Sequence, residues 1–106
     1  MHKNLAKSEW SKLSLPEQMG NIGSEISRAK KWQFKDNSFF NNAIYRAFEL
    51  FDLTLNDPRW IKSRLEIARA REVLADAFTG GKEYKSSLED LDRYFLQMAL
   101  LARSKK

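Results

Sequence analysis

The sequence has no cysteine, one histidine, two prolines and four glycines in 106 residues. Without cysteine there is no disulfide framework, no thiolate zinc site and no cysteine nucleophile. The one histidine, His2, sits at the chain's start, which speaks against a Ser-His-Asp triad or a histidine-held metal. All-β folds need many turns, so the scarcity of glycine and proline favours helices. Long apolar runs are also missing. Met98-Ala99-Leu100-Leu101-Ala102 is far short of the ~20 residues that span a bilayer. The start, Met1-His2-Lys3-Asn4 and onward, is too polar for a signal-peptide core. Together with the absent disulfides, this leads us to expect a soluble, cytoplasmic chain with no membrane partner.

What is present suffices for one small domain. Apolar residues make up 42% of the chain and aromatic residues 12%, which excludes global disorder. The net charge is +5. Residues 1–13, 14–37, 38–57, 58–79 and 80–106 carry +2, +1, −2, +2 and +2, so the surplus is spread along the chain. A basic balance permits nucleic acid or an acidic partner without requiring either.

Hydrophobic spacing predicts an all-α fold, an antiparallel bundle of four main helices. Residues 1–13, carrying Leu5, Trp10 and Leu13, form an N-terminal arm or short extra helix, and 14–106 form the bundle domain. The first main helix spans about 15–34. Ser14 and Glu17 form its capping box, and Leu15, Met19, Ile22, Ile26 and Ala29 line one face. Gly20 and Gly23 inside it each cost up to ~1 kcal/mol against alanine, so we expect close approach of a neighbouring backbone. Asp36-Asn37-Ser38 is the next turn and cap.

The second main helix spans about 39–55. Its wide apolar stripe includes Phe40, Ala43, Ile44, Ala47, Leu50 and Phe51, which predicts a central place or burial by a second subunit. Asp57 and Pro58 start the third helix, about 58–78, and Gly80-Gly81 ends it. Ser86 and Glu89 open the fourth, about 87–102, with Leu88, Leu91, Phe95 and Met98 on one face.

On the third helix Trp60, Arg64, Ile67, Arg71, Leu74 and Phe78 recur at 4-3-4-3-4 spacing. Two arginines thus enter an apolar stripe, and an unpaired buried charge is costly. Three readings follow. Arg64 and Arg71 pair inside the bundle with Glu25 and Asp92. Or the stripe is a subunit or partner interface, where tryptophan and arginine are typical anchors. Or the arginines clamp phosphate with Trp60 as a stacking platform, aided by Lys30 and Lys31.

Glu49 with Asp52, and Glu72 with Asp76, each place two carboxylates on one helix face. The pattern is similar to that of the all-helical MazG-type nucleotide pyrophosphohydrolases, which hold magnesium with carboxylates from two helices. That resemblance implies a metal-dependent hydrolase using these four residues. Its second pair here has i, i+4 spacing in place of i, i+3.

Gln18-Met19-Gly20-Asn21-Ile22-Gly23-Ser24-Glu25, Tyr45 to Thr54 and Arg69-Ala70-Arg71-Glu72-Val73-Leu74 resemble a family of short bacterial helical-bundle proteins. The resemblance implies a bundle and brings no activity with it. More distantly, the layout is similar to HEPN-type bundles and to ribosomal intervening-sequence and retroelement-accessory four-helix bundles. Catalytic HEPN ribonucleases carry an arginine followed within a few residues by histidine, and this chain has no such histidine. The expectation is therefore a non-catalytic binding or accessory module without cofactor or metal. It self-associates and acts through a protein or a nucleic-acid-containing partner, with direct RNA or DNA binding as the alternative.

Overall fold

A computed structural model of the protein describes residues 7–79 and 88–104, with side chains described for 9–79 and 88–96. The order is α1 (Lys7–Trp10), α2 (Leu15–Trp32), α3 (Asn37–Leu55), a 3-10 helix (Pro58–Ser63), α4 (Arg64–Phe78) and α5 (Leu88–Ser104). No strand occurs among the described residues. The expected Gly80-Gly81 stop and Ser86 cap lie outside them.

The helix ends follow local chemistry. At the start of α2 the Ser14 hydroxyl accepts the Glu17 N–H at 3.2 Å, and the Glu17 carboxylate accepts the Ser14 N–H at 2.9 Å. This reciprocal pair satisfies two N–H groups that a helix start leaves orphaned. The far end comes two residues earlier than the sequence predicts. The Gln33 N–H still reaches the Ala29 carbonyl at 2.9 Å, but Phe34 then turns left-handed with φ 68°. The N–H groups of Lys35 and Asp36 fold back onto the Trp32 carbonyl at 2.9 and 3.0 Å. Asp36 next caps α3, its carboxylate accepting the Phe39 N–H at 3.0 Å.

The single helix expected over 58–78 is two pieces. Pro58–Ser63 winds as a 3-10 helix, and Trp60 departs from helical backbone at φ −105°, ψ 26°. Asp57 holds this turn tight by accepting the Arg59 N–H at 3.0 Å and gripping the Arg59 guanidinium. The 100° phase of a continuous α-helix therefore does not carry from Trp60 into α4.

The core joins Ile22, Ile26 and Ala29 of α2 to Ala43, Ile44, Ala47, Leu50 and Phe51 of α3. Ile67 and Leu74 of α4 and Leu88, Leu91 and Phe95 of α5 complete it. Each large apolar side chain buried this way contributes about 1.5–3 kcal/mol. Trp10 is also in the core, so the described part of the expected arm carries a docked helical turn, Lys7–Trp10.

The central place expected for α3 belongs to α2, which packs along both α3 and α5. α4 leans mainly on α3 and touches α5 little. The extra apolar girth of α3 serves this contact with α4, and its flanks Phe39 and Tyr45 stay open to water. A Cβ on Gly23 would stand 2.5 Å from the Phe95 Cβ, so the absent side chain lets α5 close onto α2. That is the close approach the sequence led us to expect.

Candidate interaction surfaces

Trp60 drops out of the 60-64-67-71 stripe because the helix changes pitch between Trp60 and Arg64, and within α4 only Ile67 of the remaining three is buried. Trp60 is half-buried and donates its indole N–H to the Gln18 amide oxygen at 3.0 Å. Arg64 is exposed and Ile67 lies in the core. Arg71 donates to the Asp52 carboxylate at 3.0 Å, with its guanidinium 4.8 Å from the Phe48 ring centre. Neither arginine is a buried charge, so the costly case does not arise.

The expected pairing of Arg64 and Arg71 with Glu25 and Asp92 is thereby corrected. Glu25 is fully buried and accepts both bonds from Arg28 of its own helix, at 2.9 and 3.0 Å. Asp92 accepts the Ser27 hydroxyl and stands 3.4 Å from the Lys30 ammonium. The reason lies in the packing: α5 sits against α2, while α4 rests chiefly on α3. Lys30 faces Asp92 of α5 and Arg71 faces Asp52 of α3, and α2 and α4 have no extensive contact.

The four carboxylates of the hydrolase reading do not gather. Glu49 and Glu72 are exposed, Asp52 is held by Arg71, and Asp76 is buried. Among the described residues no three of His, Cys, Asp or Glu stand where they could hold a metal. The groove beside Glu49 and Asp52 also contains Arg46, whose charge opposes a divalent cation.

A buried polar knot that the sequence reading did not identify ties the 3-10 helix to α1, α2 and α3. Gln18 uses both of its amide hydrogens, one on the Trp10 carbonyl at 2.8 Å and one on the Asp57 carboxylate at 3.3 Å. Its oxygen takes the Trp60 indole. The Trp10 indole donates to the Thr54 hydroxyl at 3.2 Å, which donates in turn to the Leu50 carbonyl at 3.0 Å. Arg59 closes the knot over the Asp57 carboxylate at 2.8 Å and the Leu13 carbonyl at 2.8 Å.

The hydrogen bond from the Arg59 side chain holds the Asp57 carboxyl down at about 2. Burial works against that shift, and the Arg59 N–H and Gln18 amide add to it. Among the described residues no buried side-chain polar atom lacks a partner. A buried network satisfied in this way makes the surrounding core rigid. The one signal in the sequence was a glutamine beside Met19, at the edge of a core stripe.

Two open surfaces among the described residues carry exposed apolar or aromatic side chains outside the α3 groove. The first is a cleft of about 340 Å³ between α4 and α5, lined by Glu66, Arg69, Ala70, Val73, Leu91 and Tyr94. Beside it in sequence Leu65 is 75% exposed and Ile61 62%. The second is the corner between α2 and α3. Phe34 is 94% exposed there, and Trp32 and Phe39 pack at 4.9 Å between ring centres. The Lys31 ammonium lies 5.3 Å from the Trp32 ring centre, and Lys35 is exposed.

These features define an all-α protein whose open chemistry is aromatic, apolar and cationic. No described helix is long and apolar enough to cross a membrane. Compared with protein-family models, with curated proteins and with solved structures, the chain matches none.

Proposed function

We propose that the chain is a non-catalytic binding module that pairs with a second copy of itself along the α4–α5 edge. In this reading the four long helices form an antiparallel bundle, and α4 and α5 are the two left incompletely covered. The observation that carries the reading is the apolar cleft between them, with Leu65 and Ile61 on the same stretch of chain largely in water. Exposed aliphatic side chains beside an apolar cleft are what a subunit contact covers.

Charge supports a second copy as the occupant. The cleft contains one acid, Glu66, and one base, Arg69, and neither is ion-paired among the described residues. A two-fold axis would set the Glu66 of each copy against the Arg69 of the other, so the surface complements itself.

Light scattering during size exclusion tests the pairing at tens of micromolar protein. The wild-type chain should elute with twice the mass of one chain. Leu65→Glu, which changes a side chain already in water, should elute as a folded monomer. A wild-type monomer at that concentration overturns the reading.

A further inference from the structure

Phe34 occupies a position where the fold alone is better served by glycine. Its φ of 68° is left-handed, a backbone conformation that is strained for an L-residue with a Cβ. Glycine is the usual helix terminator at this conformation. Packing returns nothing for the cost, since the ring is 94% exposed. Strain of this kind, held by a well-formed turn, is a pointer to function.

The surroundings indicate what the ring meets. Phe39 is half-exposed and braced by Trp32 at 4.9 Å. Lys31 and Lys35 flank the turn, both exposed, and Arg28 lines a groove with Ser24, Ser27, Lys31 and Trp32. Arg28 is paired with Glu25, and Asp36, which accepts the Phe39 N–H, is the one acid between residues 26 and 39, so Lys31 and Lys35 outnumber it. The corner is therefore cationic, with a flat ring accessible to solvent over nearly its whole surface.

We propose that this corner binds single-stranded nucleic acid, with Phe34 stacking on a base and Lys31 and Lys35 contacting the flanking phosphates. An exposed ring on a turn flanked in sequence by Lys31 and Lys35 matches a base between phosphates. Such stacking tolerates any sequence, because every base has a π-face. A duplex hides those faces inside its own stack, so it lacks the element that Phe34 recognises. A lipid surface is the weaker match. Insertion needs several apolar side chains projecting together, whereas Trp32 and Phe39 pack on each other and Phe34 alone stands clear. The proposal uses a surface separate from the α4–α5 cleft and goes beyond self-association.

The test is fluorescence anisotropy of a labelled oligothymidine of about 15 nucleotides, within the range that single-strand binders cover. The wild-type chain should bind it in preference to a duplex of equal length. With two phosphates contacted, raising salt from about 50 to about 200 mM should weaken binding roughly sevenfold. Phe34→Gly should stay folded and bind about tenfold more weakly or worse. The double variant Lys31→Glu with Lys35→Glu should abolish binding, and Leu65→Glu should leave it unchanged. Wild-type affinity in Phe34→Gly overturns the proposal. So does equal binding of the duplex, or binding to phosphatidylcholine vesicles containing phosphatidylserine but not to the oligothymidine. None of these outcomes touches the self-association reading, which rests on mass alone.

Discussion

Around Gln18, Trp10 and Trp60 lie beside an amide, a hydroxyl, a carboxylate and the Arg59 guanidinium. At the α2–α3 corner, Trp32, Phe34 and Phe39 lie beside Lys31, Lys35 and Asp36. The ingredients are nearly the same and the outcomes differ. In the knot no buried side-chain polar atom described lacks a partner, and Trp10 is sealed in the core. At the corner the chain bends through left-handed backbone and leaves Phe34 in water. Aromatic and charged residues stabilise a small fold only where their polar atoms are closed off together. Where they stay open, they are available to something else.

Breaking the knot should give the larger effect. Gln18→Ala removes the acceptor of the Trp60 indole and the donor to both the Trp10 carbonyl and Asp57. Stranding buried polar groups costs about 1–3 kcal/mol each where no water replaces the partner, so a loss of roughly 2–4 kcal/mol is expected. Urea unfolding followed by tryptophan fluorescence measures it. A loss under about 0.5 kcal/mol, the size of an ordinary surface change, would reduce the knot to a set of incidental contacts.

Acid should sharpen the comparison with a smaller effect. Asp57 has its carboxyl pKa lowered from 3.8 to about 2, first by the hydrogen bond from Arg59. A lowered carboxyl adds stability at pH values above its unfolded pKa, and that stability is lost as pH falls from about 4 through 2. The contribution should be about 1–2 kcal/mol, discounted because Arg59 reaches the surface. The urea midpoint of wild type should therefore drop more between pH 6 and pH 2.5 than that of Asp57→Asn. Parallel curves for the two proteins would remove Asp57 from the account.

At the corner the smallest change is expected, and with the opposite sign. Phe34→Gly relieves the left-handed strain and removes an exposed ring, while freeing the unfolded chain. The balance is a gain of up to about 1 kcal/mol.

Much of the helical layout was legible in the sequence. The Ser14 capping box, the α2 stripe and the Leu88, Leu91 and Phe95 stripe follow from spacing and cap chemistry, which are local. The close approach at Gly23 also follows, since glycine inside a strong helix needs a neighbour to justify it. What could not be read there was tertiary. Asp57-Pro58 signals a helix start, yet it does not say that the start winds as a 3-10 turn or that Gln18, 42 residues earlier, accepts the Trp60 indole. That one departure moved Trp60 out of phase with Arg64, while inside α4 the core takes Ile67 and Leu74 and leaves Arg64 and Arg71 at its edge. The placement of α5 on α2, which gave Glu25 and Asp92 other partners, is equally invisible to periodicity. The corner was missed because Phe34 stood at the end of an expected helix, where a left-handed turn has no spacing signature.

The most direct measurement compares equilibrium urea unfolding of wild type, Gln18→Ala and Phe34→Gly under one set of conditions. Phe34→Gly should lie at or above the wild-type midpoint and Gln18→Ala well below it. If Phe34→Gly instead loses more than about 1 kcal/mol, a change of core size, the ring holds the fold together. The corner would then not be a surface kept open for contact.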